Sequence, residues 1–205
     1  SGASFPALLI EGCKAGFASS TAHTYVYASS SSGTGQSNSD KSIGDFWMSD
    51  GAYTAATKRS SLIHVPLVAA PIAILHNLPA KTTLNLSAAT VAGIFGGTIT
   101  RWNDPAIVAD NNRSTTKTIY KLDKNGNPAK DAKGNPVVLR TQVIQGRYTL
   151  PNQPIKVVYR SDSSGTSENF TNYLNKSAGS VWTKSKNKVF KDSFSGNSND
   201  VANLG

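Results

Sequence analysis

The residues best suited to chemistry lie in four polar stretches rather than in one motif. Arg160 and Asp162 stand two apart in Arg160-Ser161-Asp162-Ser163-Ser164-Gly165-Thr166, directly after the apolar run Ile155 to Tyr159. A guanidinium is a planar fork that suits an oxyanion, and a carboxylate two residues on can hold it by a salt bridge. Gly2-Ala3-Ser4-Phe5-Pro6, Ser32-Gly33-Thr34-Gly35 and Ser164-Gly165-Thr166 pair hydroxyls with small residues that let a ligand reach the backbone. At a helix start such a segment presents unpartnered N–H groups and the positive end of the helix dipole, so an anion binds there without a lysine. The same residue types also serve as ordinary helix caps.

Asp50, after Phe46-Trp47-Met48-Ser49, is the odd member of this set. A carboxylate in an anion site looks wrong on charge grounds. It makes sense if the ligand carries a proton, because an ionised carboxylate only accepts hydrogen bonds. Hydrogen phosphate can donate to it, and fully ionised sulfate cannot.

These residues need a scaffold, and the pattern around them alternates strand and helix. Pro6 suits the first turn of a helix, and the apolar residues from Phe5 to Ile10 follow on from it. Thr24 to Tyr27 and Ile43 to Met48 read as strands, and Leu62 to Leu75 as a fully buried strand, since its apolar run barely alternates. The Ser-rich run before Gly35, taken alone, reads as a flexible linker. Ser87 is placed to cap a helix carrying Val91, Ile94 and Phe95, ended by Gly96-Gly97, and Trp102 to Pro105 reads as a turn into another helix. Phe170, Tyr173 and Leu174 give an amphipathic helix starting near Ser164 to Ser167. Strand, Gly-containing loop and helix in succession indicate an α/β protein. Residues 116–145 form a separate unit: two Gly-Asn-Pro turn signals between β-prone runs predict a surface hairpin.

Composition removes several classes. The 205 residues can bury a real core, and no apolar run reaches the ~20 residues that span a bilayer. The net charge is +9, and lysines gather at 117–133 and 176–191 without the interleaved aromatics of a single-strand nucleic-acid binder, so a nucleic-acid role would rest on charge alone. Cys13, the one cysteine, reads as a small buried hydrophobe and allows no internal disulfide. Asp123-x-Asn125-x-Asn127 starts like a calcium loop, but Pro128 and Gly134 stand where that loop needs Gly and Glu. No metal or cofactor is expected.

The chain resembles the PstS family, the phosphate-binding proteins of the phosphate-specific ABC transporter, which includes the DING-type proteins. The likeness rests on the four segments above, in the family's order. The Val157 to Ser167 stretch is the most specific, and Thr90 to Gly97 and Ile99 to Asp104 add to it. The resemblance implies a type II periplasmic-binding-protein fold, two lobes with mixed sheets flanked by helices and the ligand in the interlobe cleft. The first lobe would cover 1–70 and the second 71–205, with the crossover near Val68 to Leu75.

It also implies a ligand set. Ser4 would give its hydroxyl and N–H, Phe5 its N–H, and Ser32 a hydroxyl and N–H, with Ser31 as the alternative. Asp50 would accept the phosphate proton, and Arg160 would make the charged contact, positioned by Asp162. Ser164, Gly165 and Thr166 would close the cradle. The implied partners are inorganic phosphate and a membrane ABC permease, with no catalysis and no nucleic acid. The implied location is periplasmic or extracellular, with a lipid anchor as one option. The family's chain runs on beyond the point matching Asn197 to Gly205 to complete the first lobe, so the resemblance implies a monomer lacking the C-terminal third or completed by a separate C-terminal chain.

Two other readings compete. Gly165-Thr166-Ser167 with His23, His64 or His76 as base would make a serine hydrolase, although no Gly-x-Ser-x-Gly elbow exists. A surface adhesion or scavenging protein, or a sulfate or molybdate binder, could use the same fold, and Asp50 argues against a fully ionised oxyanion.

Overall fold

The computed structural model describes residues 1–53, 60–78, 84–112, 114–145, 149–194 and 198–201. Asn197 and residues 202–205, where the family's chain was expected to run on, lie outside this set.

The N-terminal part is built around a short parallel pairing. Strand β1 (Gly2–Ala3) leads into helix α1 (Ala7–Thr21), and β2 (Ser29–Ser30) leads into helix α2 (Ser32–Asp40). Gly2 pairs with Ser29 on one side and bridges Met48 on the other, where Ala3 N donates to Met48 O at 3.0 Å. Three chain segments, ending at Ala3, Ser30 and Met48, thus run side by side in one direction. Each is followed at once by a stretch singled out from the sequence.

The larger part follows residue 84. Helix α3 (Ala88–Phe95) is capped by the Ser87 hydroxyl, which accepts from Thr90 N, and α4 (Pro105–Asn112) opens on a proline, as the turn at Trp102 predicted. Strands β3 (Ser114–Tyr120) and β4 (Val138–Gln145) form the expected antiparallel hairpin. Strand β5 (Val157–Arg160) runs into helix α5 (Gly165–Ser177), and β6 (Ser198–Val201) pairs with β5 in parallel. Parallel neighbours need a crossover, and α5 lies in it.

The packed core belongs to this part. Val91, Ala92, Leu174, Ala178, Trp182 and Phe190 form one cluster, and Ile94, Ile107, Leu150, Ile155 and Val157 form a second. Phe95 meets Phe170 edge to face with ring centroids 4.7 Å apart, which seats α5 on α3. The α/β class expected from the sequence is the one observed.

Several expectations fail. Thr24 to Tyr27 and Ile43 to Trp47 are irregular, and only Met48 joins a bridge. Leu62 to Leu75 is neither strand nor buried: Ile63 is 83% exposed and Leu75 92%. Pro66 and Pro71 remove ladder donors from this segment, and the described residues offer it no sheet to join. Cys13 is exposed rather than buried, because α1 buries only Ile10 and leaves Leu8 and Phe17 in solvent.

The hairpin tip is more ordered than two turns would require. Residues 123–128 and 131–136 repeat the pattern Asp-x-x-Gly-Asn-Pro at a spacing of eight. In each arm the Asp Oδ1 accepts two backbone N–H groups: Asn125 and Asn127 for Asp123, Lys133 and Asn135 for Asp131. Lys121, Ala129 and Val137 close a ring, since Ala129 N donates to Lys121 O, Val137 N to Ala129 O and Lys121 N to Val137 O.

Candidate functional site

All three hydroxyl-rich segments stand at helix starts, for local reasons. Ser31, extended at φ −136° and ψ 160°, caps α2 by accepting from Thr34 N at 3.1 Å. Ser164 caps α5 by accepting from Ser167 N at 3.3 Å. Ser4 O accepts from Ala7 N at 3.1 Å at the head of α1. The Ser31 hydroxyl is therefore committed to its cap, and Ser32 is the next residue on, almost wholly buried.

Two of these helix starts meet, with Asp50 between them. Ser32 Oγ accepts from Asp50 N at 3.1 Å, and Thr166 Oγ1 donates to Asp50 Oδ2 at 2.9 Å. Asn169, one turn along α5, donates from Nδ2 to Asp50 O at 2.9 Å, and Gly33 N donates to Ser163 O at 3.2 Å. Only glycine fits this approach at two places. A Cβ on Gly165 would lie 2.6 Å from Ser32 Oγ and 2.9 Å from Asp50 Cβ, and one on Gly33 would lie 2.3 Å from Ser163 Oγ.

Arg160 sits at the end of β5 with its guanidinium forked onto Asp162, Nε to Oδ1 at 2.8 Å and Nη2 to Oδ2. The guanidinium's hydrogen bonds hold the Asp162 carboxyl below its usual range. Ser4 and Phe5 follow β1, one strand over from Met48, and Phe5 lines the same groove as Asp50 and Thr166. The structure thus brings Ser32, Asp50, Gly165 and Thr166 into direct contact, pairs Arg160 with Asp162, and puts Ser164 beneath α5 as its cap.

Several residues around this cluster were not singled out from the sequence. Lys188 Nζ reaches Gln36 Oε1 on α2 and stands 5.7 Å above the Tyr53 ring, while Gln36 Nε2 donates to Ser49 Oγ at 2.9 Å. Glu168 on α5 pairs with Lys186 at 3.1 Å and faces Lys188 at 3.9 Å; its Oε2 is buried without a hydrogen bond among the described residues. Lys188 is held there by backbone, since Ser164 N donates to Lys188 O and Thr171 and Asn187 bond each other. Glu168 could have been noticed as an acid in the first turn of a helix. Lys188 could not. Burial, and then the neighbouring Asp50 charge, push the Tyr27 hydroxyl up to about 12, and it donates to Ala3 O at 2.6 Å.

The hydrolase geometry is not assembled. His64 Nε2 accepts from Tyr53 N, His76 Nδ1 accepts from Leu78 N and His23 Nδ1 lies 2.6 Å from Thr21 O, so among the described residues each ring engages the backbone rather than a serine hydroxyl. Among the described residues no group of His, Cys, Asp and Glu could hold a metal, and no helix is long and apolar enough to cross a membrane.

An α/β fold in which helix starts converge on one carboxylate defines a class, and comparison agrees: the model of the PBP superfamily domain matches residues 1–202, and the chain belongs to that superfamily. Within it, the chain is similar to phosphate-binding protein PstS 3 of Mycobacterium leprae, 34% identical over 175 residues, which cover 82% of this chain and 38% of that protein. It is also similar to phosphate-binding protein PstS of Haemophilus influenzae, 31% identical over 178 residues, 85% of this chain and 43% of the relative. With phosphate-binding protein PstS 2 of Mycobacterium tuberculosis it shares 35% identity over 126 residues, 62% and 25% of the two chains. The chain spans less than half the length of these relatives.

Proposed function

We propose that this chain is the anion-holding part of an extracytoplasmic solute-binding protein that captures inorganic phosphate and passes it to an ABC permease. The observation that carries the reading is Asp50, a carboxylate held where the starts of α2 and α5 meet. Backbone N–H groups and hydroxyls supply donors for the phosphate oxygens, and Asp50 supplies the acceptor for the phosphate proton. Ser4, Phe5 and Ser32 bind from one side, and Ser164, Gly165 and Thr166 from the other. Arg160, aimed by Asp162, adds the one full positive charge. Sulfate leaves the Asp50 acceptor unpaired, at about 1–3 kcal/mol or roughly five- to 150-fold in affinity.

No bond is made or broken in this function. The two lobes, 1–70 and 71–205, hinge about the crossover so that the anion takes the place of the direct contacts between the helix starts, and the permease opens them again. The names of the similar proteins, all phosphate-binding PstS proteins, support phosphate as the ligand. The exposed apolar run from Ile63 to Leu75 and the bare face of α1 support completion of the first lobe by further polypeptide, from the same chain or a separate one.

Calorimetric titration with phosphate, with sulfate as control and a repeat at high salt, tests the reading. Phosphate heat that survives salt, with no sulfate heat, is the expected result. Equal binding of both anions would overturn it.

A further inference from the structure

The β3–β4 hairpin takes no part in the site just described, and its composition is unlike the rest of the surface. Every residue of its two strands is exposed except Ile119, which is half-buried, and neither core cluster includes a residue of the ribbon. It carries Lys117, Lys121, Lys124, Lys130, Lys133 and Arg140 against only Asp123 and Asp131. Both carboxylates are turned inward onto the backbone of their own arms, and none of the six cations has an ion pair among the described residues. Leu122, Val138, Leu139, Val143 and Ile144 are exposed on the same ribbon, with Leu139 62% exposed.

We propose that this ribbon docks the protein on an anionic lipid surface. Register puts Lys117, Ile119, Arg140 and Ile144 on one face of the ribbon, cations alternating with apolar side chains, and four more lysines around the tip. Such a surface gains electrostatic attraction to a charged leaflet and seats its apolar side chains at the headgroup boundary. The cations are spread over the stem and both arms rather than gathered at one point, which matches diffuse, mobile negative charge better than the fixed pattern of an acidic protein. Edge pairing with a second copy is disfavoured, since it would bring two ribbons of the same excess charge together.

The test is co-sedimentation of the chain with vesicles of phosphatidylcholine alone and with about one-third phosphatidylglycerol, at low and high salt. Three proteins are compared: the parent, a ribbon variant with Lys121, Lys124, Lys130 and Lys133 changed to Gln, and a charge-matched variant with Lys14, Lys41, Lys156 and Lys176 changed to Gln. The parent and the charge-matched variant are expected to bind the anionic vesicles at low salt only. The ribbon variant is expected to bind at least about tenfold more weakly while melting at the parent's temperature. Equal loss in both variants would assign the effect to net charge and overturn the proposal. So would indifference of the parent to phosphatidylglycerol, or capture of soluble polyglutamate with no vesicle binding, which would assign the ribbon to an acidic protein.

Discussion

Thr166 Oγ1 donates to Asp50 Oδ2 across 2.9 Å, joining two residues that stand 116 apart in the chain. The bond makes Asp50 an acceptor already aimed at the start of α5, the role that a protonated anion would require of it.

Replacing Asp50 by Asn exchanges part of that acceptor for a donor of similar shape. Asp50→Asn is expected to lower the phosphate-to-sulfate affinity ratio by about fivefold or more, chiefly by admitting sulfate. Calorimetry on both anions reads it, and an unchanged ratio would remove the proton from the explanation.

Gly165→Ala inserts a methyl group 2.6 Å from Ser32 Oγ. It should push the starts of α2 and α5 apart and weaken phosphate binding by about tenfold or more. Gly12→Ala, in α1 with nothing within 4 Å of the added carbon, should instead raise stability by up to ~1 kcal/mol and leave binding alone. Titration and urea unfolding of the pair separate the two effects.

Lys188→Met cuts the tie from α5's neighbourhood to Gln36 and leaves Glu168 with Lys186 as its remaining cation among the described residues. A loss of about 1–3 kcal/mol in urea unfolding is expected, because a buried carboxylate loses a partner. Adding Glu168→Gln should recover part of it. If the double variant is no better than the sum of the singles, the two side chains are not coupled.

The Arg160–Asp162 fork gives a pH signature. The folded Asp162 carboxyl lies below the unfolded value of about 3.9, so the protein binds fewer protons there than the unfolded chain does. Its stabilising contribution is present above that value and is lost as pH falls through the folded pKa. Urea midpoints measured from neutral pH down into this range should show the difference between parent and Asp162→Ala shrinking in acid. A difference that stays constant would contradict the coupling.

What could be read from the sequence divides along locality. Ser87 and Ser164 were legible as caps because a side chain and an N–H three residues on decide the matter. Pro105 and the Gly-Asn-Pro turns were legible for the same reason. The Leu62 to Leu75 run was misread because a strand is made by its neighbours, and those are not within any window of sequence. The run before Gly35, read as a linker, is instead a capped helix whose Gly35 packs against Gly2 and Met48, a contact no composition rule shows. Asp50 was found by its chemistry, whereas Gln36 and Lys188 become neighbours only when the chain folds back 152 residues later.

The ring of Lys121, Ala129 and Val137 gives the hairpin tip an arithmetic of its own. Each arm returns the backbone to an equivalent place in the ring, so excising residues 129–136 brings Val137 to the place of Ala129. Lys121 and Val137 would then exchange both backbone bonds as a simple antiparallel pair, with the stem register from Ser114 to Gln145 untouched. The tip can therefore shrink or grow by whole eight-residue arms, whereas an insertion of any other length has to be absorbed as distortion.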